Sequence, residues 1–172
     1  ISLKDRPKEL YKISEKGTVP VLVLQNDTII DESLDIMIWA TKEGNLDWFG
    51  DGKKKQMDSI GVNDSDFKHW IDRYKYPDRF PENEMKFYRN KCDEHLKIYE
   101  ILLSNQRYLF SDENLSLGDA AVLPFVRQFN GVDQEHMSKY PNLGRWLNNM
   151  VQSNLFISVM EKYEFWSPDQ AP

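Results

Sequence analysis

The chain has almost no cysteine, no surplus of basic charge and no long apolar run. A single cysteine, Cys92, stands among 172 residues. No internal disulfide can form, which fits a reducing compartment and points to the cytoplasm. Lys and Arg number 22 against 28 Asp and Glu, a formal charge of −6. A general nucleic-acid binder needs a basic face to neutralise phosphates, so this balance argues against one. The run Lys53-Lys54-Lys55 is short and sits beside acids, and it reads as a solvated helix end. No apolar stretch reaches the roughly 18 residues needed to cross a membrane, and the first residues do not form a signal peptide. His69, His95 and His136 lack ligand spacing to each other or to Cys92, so no metal site is expected. A glycine-rich phosphate loop is missing too, because Gly50-Asp51-Gly52 reads as a turn.

What is present is core material. Hydrophobic residues make up 40% and aromatics 13% of the chain, enough for a packed interior. The pattern changes near residue 45. Before it, Val19 to Leu24 is a β-branched apolar run of strand length, and Thr28 to Ile30 is a second. The polar Gln25-Asn26-Asp27 between them has the composition of a hairpin turn. A helix follows, with Leu34, Met37, Ile38 and Thr41 on one face and Gly44 as its stop. Residues 45–52 read as a linker, and 53–172 as an all-helical domain. Within it, Tyr88, Cys92, Leu96, Tyr99 and Leu103 form an apolar stripe over 82–103. Ser116 and Asp119 make a capping box opening the next helix. Another helix starts at Pro141 with Leu143, Trp146, Leu147 and Met150 inward, and a last one runs from Asn154 to Tyr163. Two strands make too little sheet to stand alone, so residues 1–44 are expected to be part of a domain that begins upstream of Ile1.

Two features of the front piece carry chemistry. Thr18-Val19-Pro20-Val21-Leu22 puts a proline at a strand entry, where its missing N–H costs little. A cis Val19–Pro20 bond would turn the Val19 N–H and C=O outward, although most X–Pro bonds are trans. Asp31-Glu32-Ser33 stands at the start of the following helix, where a serine reads first as a cap. The same helix end offers free N–H groups and positive dipole to a carboxylate. With Glu32 beside it to take an ammonium, the pair suits the α-amino-acid end of a γ-glutamyl group.

The stretch Gly17 to Leu22, the hairpin, and Asp31-Glu32-Ser33-Leu34-Asp35-Ile36 together resemble the glutathione site of the glutathione S-transferase family. The resemblance implies an α/β thioredoxin-like N-terminal domain, incomplete here, followed by an all-α helical bundle. It implies glutathione as co-substrate, with backbone pairing at Val19 after the family's cis-proline pattern and the γ-glutamyl end on Glu32 and Ser33. Arg6, thirteen residues before Val19, matches a position where omega-like classes place a glutathione-contacting lysine. Arginine keeps the charge there but changes the geometry. Ser116 to Arg127 resembles the family's capping-box helix, Asn154 to Tyr163 with Trp166 its ending, and Arg73 to Phe80 resembles uncharacterised bacterial members.

In the family the catalytic Tyr, Ser or Cys follows the first strand. Ile1 to Leu3 resembles the end of the second strand, so the catalytic residue is unassigned. Cys92 lies mid-helix on an apolar stripe and reads as a structural thiol. Tyr74, Tyr76, Phe125, Arg127 and Trp166 are either ordinary packing or the lining of an apolar co-substrate pocket. The resemblance implies a homodimeric transferase acting on small electrophiles. It leaves open an omega-like thiol transferase and a non-catalytic interaction module, such as the stringent starvation protein or a translation-factor subunit.

Overall fold

The computed structural model describes residues 1–2 and 4–165. Its contacts divide the chain into two compact units, Ile1–Leu46 with residues 160–165, and Asp47–Val159. Leu3 and Trp166 lie outside the described residues, and Ile1 and Ser2 belong to no regular element.

The first unit begins with a six-residue helix, α1 (Lys8–Ile13), entered through Pro7. A left-handed Gly17 (φ 57°) ends the turn that follows, its N–H bonded to the Ser14 carbonyl at 3.0 Å. The Val19–Pro20 peptide is cis. The two strands are shorter than their apolar runs suggest: β1 is Leu22–Val23 and β2 is Ile29–Ile30, paired antiparallel as Leu22 with Ile30 and Val23 with Ile29. Pro20 has no N–H to extend the ladder, and no third strand among the described residues supports it. The turn closes through Asp27, at φ 61°, whose N–H bonds to the Leu24 carbonyl at 3.0 Å. Then comes α2 (Ser33–Glu43). Its stripe of Leu34, Met37 and Ile38 is only half-buried, and Thr41 alone of that helix is buried. Val19, Val23 and Ile29 are exposed. This unit contains little core.

The second unit holds the core. Helix α3 (Lys53–Val62) starts at the lysine run, passes through a π-helical turn at Asn63–Phe67 and continues as α4 (Lys68–Lys75). Helix α5 (Met85–Leu102) buries Tyr88, Cys92, Leu96 and Tyr99, with Leu103 just past its end also buried, so the 3.6-residue stripe faces inward as its spacing requires. Helix α6 (Leu117–Val132) opens on the Ser116–Asp119 capping box, α7 (Gln134–Met137) is one turn, and α8 (Pro141–Val151) buries Leu143, Trp146, Leu147 and Met150.

Helix α8 has no local side-chain cap. Its first N–H groups reach across the bundle to Glu100, from Asn142 at 3.2 Å and Leu143 at 2.8 Å. The last helix, α9, runs Asn154–Val159 and not to Tyr163. None of its residues is buried, so no packing sustains a further turn. No helix of the described residues is long and apolar enough to cross a membrane.

Candidate functional site

The N-terminus of α2 is open. Glu32, not Ser33, occupies the N-cap position, with extended backbone (φ −112°, ψ 132°) and no side-chain capping bond. The first helical hydrogen bond runs from Ile36 N–H to the Glu32 carbonyl at 3.0 Å. The N–H groups of Ser33, Leu34 and Asp35 therefore have no partner among the described residues, as the first turn of any uncapped helix must. The reading of Ser33 as an ordinary cap is thus set aside. Its exposed hydroxyl stands as the first helical residue, with no hydrogen bond among the described residues.

Beside this end lies a cluster of acids. The hydroxyl of buried Ser14 donates to Asp31 Oδ2 at 3.0 Å. The Lys16 ammonium donates to Asp31 Oδ1 at 3.3 Å and to Glu32 Oε1 at 2.5 Å. The Ser14 hydrogen bond, and after it the lysine, hold the Asp31 carboxyl below its ordinary range, against the opposing effect of desolvation. Glu32 first, and then Asp31, raise the Lys16 ammonium above its own. These bonds tie the segment ending at Val19 to the start of α2. Neither the N–H nor the C=O of Val19 has a hydrogen bond among the described residues, and its side chain is exposed.

Glu32 and Ser33 adjoin at the helix start, tied to the chain by Lys16 and, through Asp31, by Ser14; Val19, three residues beyond Lys16, makes no hydrogen bond to them among the described residues. Arg6 is not brought in by any contact. It is exposed just ahead of α1 and forms no ion pair among the described residues. Lys16, Ser14 and Asp31 complete the cluster, and sequence reasoning did not assign them roles. Their bonds span 15 to 17 residues, so neither helical nor strand periodicity marks them. A depression of about 610 Å³ lies between the hairpin and the other end of α2, lined by residues that include Leu24, Trp39 and Glu43. From Ser33 to Glu43 the helix rises about 15 Å, so this hollow is separate from the open helix end.

The candidates in the helical unit have structural partners. The Tyr74 hydroxyl donates to Asp133 at 2.6 Å, and its ring stacks on Phe129. Phe125 packs against the core, and Arg127 lies over the Phe156 ring at 5.5 Å. Cys92 is fully buried, and that burial, with the charge of Asp93, pushes its thiol up to about 12. It holds no thiolate at neutral pH. Among the described residues no group of three His, Cys, Asp or Glu side chains could hold a metal ion.

Two family models match the chain, the glutathione S-transferase N-terminal domain over residues 1–43 and the C-terminal domain over residues 68–149. The fold resembles a class Gtt2 glutathione S-transferase of Vibrio parahaemolyticus, with a TM-score of 0.69 and 21% identity over 88% of this chain and 76% of that one. A Pseudomonas fluorescens family member with two glutathione molecules bound superposes with a TM-score of 0.74, at 16% identity over 88% of this chain and 74% of that one. A Phanerochaete chrysosporium transferase in complex with oxidised glutathione gives 0.74, at 16% identity over 89% and 76%. At these identities the likeness is one of fold. A curated Saccharomyces cerevisiae relative, described as an elongation factor 1 gamma homologue, is 27% identical over 120 residues, 64% of this chain. The chain spans about half the length of that relative, 52% of it. With a thioredoxin-like N-terminal unit followed in sequence by a helical bundle, and both family models matched in that order, the chain belongs to the glutathione S-transferase family.

Proposed function

We propose that the chain binds glutathione at the open N-terminus of α2 and transfers it to small electrophiles, working in the cytoplasm as a homodimer. The observation that carries this reading is the uncapped helix end at Ser33 with two carboxylates beside it. Unpaired N–H groups and positive dipole favour a carboxylate, and the Ser33 hydroxyl can donate to the same anion. Asp31 and Glu32 offer oxygen acceptors for an ammonium a few ångströms away. An amino acid's α-carbon carries both groups, and the γ-glutamyl end of glutathione is such a group. The free N–H and C=O of Val19 can pair with the extended cysteinyl backbone, the recognition mode that a peptide uses at an unpaired edge. Arg6 is proposed only as a charge near the glycyl or cysteinyl end. The group that activates the thiol is not assigned.

The full chain should be retained on immobilised glutathione and eluted by the free tripeptide, and Ser33→Ala should weaken retention. Absence of retention, with Ser33→Ala making no difference, refutes this reading. Turnover of an aryl halide would favour conjugation, and reduction of a glutathione mixed disulfide would favour thiol transfer.

The likeness to the elongation factor 1 gamma homologue favours a second reading, a non-catalytic interaction module. Retention on glutathione without turnover of either substrate would support it.

A further inference from the structure

We infer that Lys16 acts as a built-in surrogate for the ligand's ammonium, holding the acid pair and yielding it when a γ-glutamyl ligand binds. This rests on the glutathione-binding reading above and adds a residue that sets specificity. Three observations support it. First, Lys16 Nζ already takes the oxygens that an incoming ammonium would need: it lies 2.5 Å from Glu32 Oε1 and 3.3 Å from Asp31 Oδ1. The other oxygen of Asp31 accepts from Ser14 at 3.0 Å and also lies 3.3 Å from Lys16 Nζ. Two ammonium groups on the same oxygens would repel each other, so Lys16 and the ligand compete for the pair.

Second, Lys16 is free to move while Asp31 is held, and Glu32, at 62% exposed, can follow either ammonium. The Lys16 side chain is half exposed, at 51%, on a flexible stem. Asp31 is also held by the buried Ser14 hydroxyl, so removing Lys16 leaves its carboxylate tethered. Third, the charges match. Asp31 and Glu32 carry two negative charges and Lys16 one positive. The acid pair is therefore partly neutralised by Lys16, and exchanging one ammonium for another conserves that state. A ligand with a carboxylate but no ammonium could use the helix end while Lys16 stayed where it is.

The test pairs a residue change with a ligand change. Calorimetric titration of the full chain would compare glutathione with glutaryl-cysteinyl-glycine, which keeps the carboxylate and lacks the ammonium. Wild type should prefer glutathione only slightly. Lys16→Met removes the competitor and should tighten glutathione binding about two- to fivefold, the range of an exposed ion pair. It should also weaken the glutaryl analogue, because two uncompensated carboxylates then face its anion. Lys16→Arg, which keeps the charge, should keep the low preference. Circular dichroism spectra that superimpose with wild type would show that the variants fold.

If Lys16→Met binds glutathione equally or more weakly, or the preference between the ligands does not widen, the inference is wrong while glutathione binding stands. If neither wild type nor Lys16→Met binds glutathione, both fail together.

Discussion

Replacing Asp119 by alanine should cost the helical unit a large part of its stability, and the structure says why. The carboxylate is completely buried and accepts four hydrogen bonds. Oδ1 takes the Leu109 N–H at 2.8 Å and the Trp146 indole N–H at 2.8 Å. Oδ2 takes the Ser116 N–H and hydroxyl. One side chain thus fastens the loop at 109, the start of α6 and the middle of α8. Asp119→Ala leaves three buried N–H donors without partners, at about 1–3 kcal/mol each. Relief of the carboxylate's own desolvation offsets part of this, leaving a net loss of about 3–5 kcal/mol.

Ser116→Ala removes the cap to the Asp119 N–H and the hydroxyl's own bond to Oδ2, and should cost about 1–2 kcal/mol. The two changes share one reciprocal contact, so the double variant should fall short of their sum by about 1 kcal/mol. Urea unfolding followed by circular dichroism at 222 nm measures all three. Because domains have only about 5–15 kcal/mol in total, Asp119→Ala should show a much lower midpoint or be unfolded in buffer. A loss below about 1 kcal/mol for Asp119→Ala, or one equal to that of Ser116→Ala, would refute the argument.

Gly17→Ala should disrupt the front unit, because φ is 57° there and a Cβ would sit 2.2 Å from the Tyr11 ring. The expected result is faster proteolysis of residues 1–46, with the 222 nm signal of the bundle retained. Glu100→Ala removes the distant carboxylate that receives the Asn142 and Leu143 N–H groups, and should lower stability by about 1–2 kcal/mol in urea unfolding. Tyr74→Phe should raise the pH at which acid unfolds the bundle. Desolvation works against ionisation of Asp133, but the Tyr74 hydroxyl and the His136 amide outweigh it and hold the folded carboxyl below its ordinary value. Its contribution is therefore present above an unfolded pKa of about 4 and is lost as pH falls through the lower folded value. Without Tyr74 that loss begins at higher pH, which an acid titration by circular dichroism would detect.

Local signals made much of the bundle legible. The stripe from Tyr88 to Leu103 repeats at helical spacing, and every member is buried. The Ser116–Asp119 box names its own helix start within four residues. What stayed hidden depends on distance. The cap of α8 lies 42 residues away on Glu100, and Trp146 reaches Asp119 across 27. Helix α1 was missed because it is six residues long and enters through Pro7 without a side-chain cap. The strands came out shorter than their apolar runs because composition does not reveal how many partners a strand has.

The candidate site was legible as residue types and incomplete as a site. Glu32 and Ser33 could be named from the sequence, and the open helix end gives Ser33 a geometry that a capping serine would lack. Lys16 could not be named. A lone lysine in a loop carries no pattern until the fold puts it on two carboxylates.

The most direct test of glutathione binding at the α2 N-terminus is a nuclear magnetic resonance titration of the labelled full chain. The backbone amide signals of Ser33, Leu34, Asp35 and Val19 should shift together and saturate at one glutathione concentration. Unmoved signals there, or shifts confined to the helical bundle, would contradict the account.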